Sequence, residues 1–345
     1  MRAAVFHGPG RPLVVEAIPD PTPGPQEVVV KVARCGICGT DLHMTETHDG
    51  PFAMPVGAVP GHEFSGEVVA LGSEVTGLAI GDHVAAMPFL SCGHCRACLS
   101  GIPSQCPKSR GLGMGAAAGG YAEFALVSGL SCVSLPKTVG LDQGALVEPM
   151  AVSLHGIRGA QLRPGDRVLV IGAGPIGLAA IFWAKRAGAR VVATASSNRR
   201  QELARAMGAD AFIVPDPEQR LSRQVAKALG SAPDVVLECV GLPGMIATAI
   251  DCVRPRGLVV VLGLCLTADT FQPALAVAKE VRLQFAVVYD RKEFEITVDA
   301  FARGAVEPST MITDVVGLDQ APVAFEALRH RTHQCKVHIA PGLAG

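Results

Sequence analysis

Residues 167–177 read RVLVIGAGPIG. The strand-like run Arg167–Ile171 leads directly into Gly172-Ala173-Gly174-Pro175-Ile176-Gly177, a G-x-G-x-x-G turn that opens an apolar helical segment reaching Lys185. Strand before and helix after are the context that gives this motif meaning. The first glycine permits a tight turn, the second lets backbone approach a pyrophosphate, and the third lets helix and strand pack closely. The helix N-terminus then turns its partial positive charge toward phosphate. Gly172, Gly174, Pro175, Ile176 and Gly177 are therefore candidate dinucleotide contacts.

Outward from this stretch the texture is βαβ. Strand-like runs at 191–195, 211–214, 234–239, 258–262 and 281–288 alternate with helical segments such as 199–207. Continuous apolar strands separated by helices imply a parallel sheet covered on both faces, and six strands fit a doubly wound sheet. An NAD site commonly carries an acid at the end of the second strand, for the ribose 2′-hydroxyl. Here that position is Ala195, followed by Ser196, Ser197, Asn198, Arg199 and Arg200. Ala195 neither binds that hydroxyl nor repels a 2′-phosphate. Ser196 and Arg200 suit a phosphate, so the reading leans to NADP over NAD.

Residues 1–150 have a different texture. Short strand-like runs at 28–32, 67–70 and 121–127 are broken by Gly and Pro, as in an antiparallel, barrel-like β domain. After residue 289 the βα alternation stops, and the tail offers one helix-like piece and a final strand at 335–339.

The 345 residues carry 30 Lys+Arg against 31 Asp+Glu, which excludes a broad basic footprint for nucleic acid or an anionic membrane. A hydrophobic fraction of 49% excludes disorder. The longest apolar stretch, near 259–266, is far short of the ~20 residues of a spanning helix. With no apolar run at the N-terminus to read as a secretory signal, the expectation is a cytoplasmic protein.

Cysteine spacing carries the metal chemistry. Cys92, Cys95, Cys98 and Cys106 are spaced C-x2-C-x2-C-x7-C within SCGHCRACLSGIPSQC. Four thiolates this close can close a tetrahedral shell around zinc, leaving no position for water, so the role is structural. A second set is dispersed. Cys38, Thr40 and His43 lie in CGICGTDLH, His62 and Glu63 in PGHEFSGEV, and Glu148 in LVEPMAVSLH. One Cys, one His and carboxylates can hold zinc while leaving a position open. Such zinc polarises an oxygen and lowers the pKa of an alcohol bound to it. Taken singly, each of these residues reads more readily as core packing or a surface feature than as a ligand.

Taken together, GICGTDLH, GHEFSGEV, the four-cysteine lobe, GGYAEF, LVEPMAVSLHG and VLVIGAGPIGL resemble the zinc-containing medium-chain alcohol and polyol dehydrogenases, in the same order along essentially the whole chain. The resemblance implies a GroES-like β catalytic domain, residues 1–150 with 291–345, and a Rossmann domain, 151–290. It implies an active site in the cleft between them. Cys38 and His62 then correspond to catalytic zinc ligands, and Glu63 to a carboxylate that can join them. Glu148 stands where the sorbitol, butanediol and threonine branch places a glutamate. Thr40 corresponds to the hydroxyl that takes the alcohol proton and His43 to the next relay member. The implied cofactors are two zinc ions per chain and NADP or NAD; the implied partners are a small alcohol or ketone and further copies of the chain in a homodimer or homotetramer. A zinc-free quinone or enone reductase on the same fold is the nearest rival, and it would need neither the cysteine lobe nor the Cys38–His62 pair. A rival of another class is a non-catalytic protein that kept the fold, as some lens crystallins resemble such enzymes.

Overall fold

The structure, a computed structural model, describes residues 1–46, 52–330 and 333–343. The chain divides into two compact units, Met1–Glu148 with Tyr289–Gly345, and Pro149–Val288.

The first unit is built on a seven-stranded sheet. Its order is Ile312–Gly317, Lys336–Ala340, Glu27–Gly36, Glu63–Leu71, His83–Ala86 and Cys132–Ser134, with Phe124–Ser128 also pairing with Glu27–Gly36. All pairings are antiparallel except that between Ile312–Gly317 and Lys336–Ala340. Val28, Val30 and Val32 recur every second residue and bury one face of their strand, as the pleat requires. That face packs with Phe64, Val68, Tyr121, Val127, Ile339 and Phe325 in one core. Register shifts at Val29/Val30 and Val32/Arg34 bend the long strand, which lets the sheet curl. The tail thus returns to the first unit: Ile339 pairs with Cys35 and His338 with Gly36.

The opposite face of the same strands is polar and buried. Gly36 lies opposite both Glu63 and His338. Glycine is required there, because a Cβ at Gly36 would collide with the Glu63 carboxylate and press on Lys336. Glu63, Lys336 and His338 are each at most 2% exposed.

The second unit is a six-stranded parallel sheet in the order Ala211–Ile213, Arg190–Thr194, Arg167–Ile171, Val235–Glu238, Leu258–Val261, Arg282–Phe285. By rank in sequence this is 3-2-1-4-5-6, the doubly wound arrangement, whose ligands bind beyond the strands' carboxyl ends. Two expectations need correction. The segment 199–207 begins as a 3-10 turn, Asn198–Arg200, and becomes an α-helix only over Gln201–Ala206. The last strand stops at Phe285 rather than 288, and by Val288 the backbone has left the strand region with a left-handed φ of +51°.

Candidate functional site

The cysteine lobe folds as the spacing demands. Sγ–Sγ distances are 3.5 Å for Cys95–Cys98, 3.6 Å for Cys92–Cys106 and 3.9 Å for Cys92–Cys98. Thiolates about 2.3 Å from a shared tetrahedral centre lie about 3.8 Å apart. The four thiols are free and are grouped within 4.8 Å of one another, so the donor set fits one zinc ion. The His94 backbone N–H, opposed by partial burial, draws the Cys92 thiol down to about 6, toward the thiolate that a metal takes.

A second group forms at the end of the long strand. Cys38 caps the short helix Gly39–Met44, Glu63 begins the neighbouring strand, and His62 immediately precedes it. Donor atoms of Cys38, His62 and Glu63 all lie within 4.8 Å of one another. Asp41 organises them. One of its oxygens lies 3.0 Å from His62 Nδ1; the other accepts from the Tyr121 hydroxyl at 2.7 Å and from the Cys38 backbone N–H at 3.1 Å. A carboxylate on Nδ1 fixes the ring and would leave Nε2 available to a metal, the usual support of a ligating histidine. Burial opposes a charged ring at His62, but Asp41 and Cys38 outweigh it and raise its pKa well above the ordinary value. The pocket therefore favours positive charge, which suits a divalent cation.

Glu63 has a second partner. Lys336 Nζ reaches its two oxygens at 2.6 and 2.8 Å and donates to the Ile37 carbonyl at 3.2 Å. Glu148 lies on the helix Leu141–Ala160, outside the group of three but beside it. Burial pushes its carboxyl up to about 7, His62 opposes that, and Glu63 adds to it. Thr40 is half-buried on the short helix, and His43, one turn on, is exposed with Nδ1 3.5 Å from Glu46. Thus Cys38, His62 and Glu63 form one group in the first unit, Glu148 lies within electrostatic reach of it, and Thr40 and His43 follow Cys38 on the short helix. Asp41, Lys336 and Tyr289 were not singled out in the sequence. Asp41 stood in plain view inside GICGTDLH, whereas Lys336 and Tyr289 lie far along the chain.

In the second unit the fingerprint has the expected geometry. Gly172 has φ +99°, and a Cβ on Gly177 would strike the Gly172 carbonyl. Nothing lies within 4 Å of the position a Cβ would take on Gly174, so backbone there is open to approach. Pro175 opens the helix Pro175–Arg186, and the Ile176 carbonyl accepts from Ser153 Oγ at 2.8 Å. At the end of the second strand, Thr194 is buried with no partner for its hydroxyl among the described residues. Ala195 and Arg200 are half-buried and Ser196 is exposed. A glycine turn, an open backbone and an orphaned hydroxyl at the strand ends fit a dinucleotide.

Residues 24–137 match the family described as alcohol dehydrogenase GroES-like domain, and residues 175–303 the one described as zinc-binding dehydrogenase. An L-threonine 3-dehydrogenase of Saccharopolyspora erythraea is 35% identical over 335 residues, covering 95% of this chain and 96% of that protein. The chain belongs to the zinc-containing medium-chain alcohol and polyol dehydrogenases. Among solved structures, the 2R,3R-butanediol dehydrogenase of Bacillus subtilis is 30% identical, with a TM-score of 0.88 over 99% of both chains. A zinc-binding dehydrogenase of Sinorhizobium meliloti solved with NADP bound has the same identity and coverage, with a TM-score of 0.87. A dehydrogenase of this family is an oxidoreductase acting on alcohols, and the intact four-thiol lobe and Cys38–His62 pair disfavour the zinc-free reductase and crystallin-like rivals. Among the described residues, no helix is long and apolar enough to cross a membrane.

Proposed function

We propose that the chain catalyses reversible oxidation of a secondary alcohol, diol or polyol to its ketone with NAD(P), NADP favoured. The observation that carries this is the convergence of the Cys38, His62 and Glu63 donor atoms within 4.8 Å, with Asp41 behind His62. In this reading Cys38 and His62 hold the catalytic zinc, with Glu63 and Glu148 available to it, and Cys92, Cys95, Cys98 and Cys106 hold the structural one. When bound, the catalytic zinc supplies Lewis acidity toward the alcohol oxygen, and the nicotinamide supplies a hydride acceptor. Thr40 takes the alcohol proton through its hydroxyl, and the exposed His43 passes it to water. Lys336 keeps Glu63 from bringing an uncompensated charge into the pocket. Asp41 fixes the His62 ring.

NADP is supported by the missing acid at Ala195 and by Ser196 and Arg200 after it. The proposal includes a cytoplasmic homodimer or homotetramer. Its support is the edge strand Arg282–Phe285, which pairs on one side only among the described residues and carries exposed Phe285, with Val287 just after it and Leu275 and Val277 on the helix before it exposed as well.

The test is a screen of secondary alcohols, diols and polyols with both cofactors, alongside elemental analysis. Two zinc ions per chain and turnover of at least one class are expected. Thr40→Ala is expected to reduce turnover roughly 10²–10⁴-fold, while Thr40→Ser keeps most of it. Active protein free of zinc would refute the reading.

A further inference from the structure

The short helix Gly39–Met44 carries both residues of the proton path, Thr40 and His43, yet six residues are too few to hold a helix by themselves. Its last carbonyls have no acceptor role left within the helix and need outside donors. Arg329, just past the helix Ala321–Ala327 and 284 positions from Thr45, supplies them. Its Nη1 donates to the Leu42 carbonyl at 3.0 Å and its Nη2 to the Thr45 hydroxyl oxygen at 2.8 Å. Thr45 is the C-cap of the helix and is 2% exposed. Its own hydroxyl lies 3.0 Å from the Asp41 carbonyl and 2.8 Å from that of Leu42, so the arginine closes a knot on the last turn. The Met44 carbonyl is taken by the Met54 backbone N–H at 2.8 Å. Arg329 also meets Glu46 at 3.3 Å and Glu326 at 2.8 Å, but both carboxylates are exposed and such pairs count for little. The contacts that matter are the two that end on the helix.

The guanidinium has little freedom. Its carbon lies 5.3 Å from the centroid of the fully buried Phe325 ring. The same ring meets Tyr121 edge-on, at 6.3 Å and 76°. The Tyr121 hydroxyl is the one that donates to Asp41 at 2.7 Å. One aromatic ring therefore backs two side chains that grip the helix, Tyr121 at its first turn through Asp41 and Arg329 at its last through Leu42 and Thr45.

We infer that Arg329 is a positioning residue for the proton path: by fixing the last turn of Gly39–Met44 it sets where the Thr40 hydroxyl and the His43 ring stand. It acts through the helix and not through the metal donors, which Asp41 and the strand Glu63–Leu71 hold from the other end. A group that moves a proton must lie within hydrogen-bond reach of it. A displacement of about 1 Å can cost about 10²-fold in rate. Arginine suits the task because one planar fork takes two acceptors at once, which a lysine ammonium on a flexible stem does not fix in the same way. The inference rests on the alcohol-oxidation reading above.

The experiment is a double-mutant cycle on kcat between Arg329→Met and Thr40→Ala, with butane-2,3-diol or the fastest alcohol of the screen, and with zinc counted in every protein. Methionine keeps an apolar stem over Phe325 and removes the fork. With Thr40 present, kcat is expected to fall roughly 10–100-fold while two zinc ions per chain are retained. In the Thr40→Ala background the same change is expected to cost less than about threefold, because the hydroxyl it positions is gone. An arginine that serves stability alone costs the same factor in both backgrounds, so equal losses overturn the inference. Loss of the catalytic zinc from Arg329→Met, or a wild-type rate in that variant, overturns it as well. Arg329→Lys should fall between wild type and Arg329→Met. The cycle is completed with it where methionine does not yield folded protein, and equal losses there are equally decisive. Failure of the underlying reading looks different: Thr40→Ala alone would match wild type, or zinc-loaded wild type would turn over no alcohol, and the inference would fall with it.

Discussion

Lys336→Met tests the buried ion pair behind the pocket. Both side chains of the pair are 1% exposed, and the Nζ–O distances are 2.6 and 2.8 Å. Burying a carboxylate without its counter-cation is expensive, and breaking such a pair by removing one partner costs about 3–5 kcal/mol. Methionine fills much the same volume, so little of that cost is lost packing. For a unit of this size, about 3–5 kcal/mol lowers the melting temperature by roughly 6–20 °C. Lys336→Met/Glu63→Gln removes both charges and is expected to recover most of the loss, because replacing a buried pair outright is often near neutral. The assay is differential scanning calorimetry of the zinc-loaded protein at neutral pH, completed as a double-mutant cycle with Glu63→Gln. A Lys336→Met protein melting within about 2 °C of wild type, or a double variant no more stable than the single, would refute the reasoning.

His338 gives a pH test. Burial, then Lys336 and Arg34, push its pKa from 6.5 down to about 3, and neither ring nitrogen has a hydrogen bond among the described residues. The native state keeps it neutral while the unfolded chain takes up a proton below about 6.5, so stability is present above that pH and falls toward pH 3, by at most ~5 kcal/mol. Urea midpoints between pH 7 and 4 should fall less steeply in His338→Gln, and identical slopes would count against the assignment. Cys95→Ser should lower stability and release one zinc per chain, while Cys38→Ser should abolish turnover with far less effect on melting; equal melting losses in the two would contradict the division of roles. Ala195→Asp should move the kcat/KM ratio toward NADH, and a wild type that already prefers NADH would end the NADP assignment.

What could be read in the sequence was what is local. The glycine fingerprint and the cysteine lobe each sit within sixteen consecutive residues, and their spacing is their geometry. The dispersed site was legible only as a set of motifs, because nothing in the spacing of Cys38, His62 and Glu148 says that a curled sheet brings them together. Asp41 reads as one more helix residue in the sequence, because its contact with His62 depends on where the loop before the Glu63–Leu71 strand passes. Lys336 was invisible, since its partnership depends on a pairing between the first long strand and the last. At 281–288 the valines argued for strand, but the strand ends at Phe285 and the backbone is left-handed by Val288.

The strand that completes the first unit has a temporal consequence. Glu63 and Lys336 are 273 positions apart. Translation at roughly 5–20 residues per second separates their synthesis by about 14–55 s. Throughout that interval the carboxylate has no ammonium to meet, and the sheet ends at Glu27–Gly36 with an edge open where Lys336–Ala340 will dock. The continuous unit Pro149–Val288 emerges during the wait and is free to fold first. On the ribosome the N-terminal half is thus the last to be finished, and its exposed edge is the part of the nascent chain most in need of protection from a neighbour's strand.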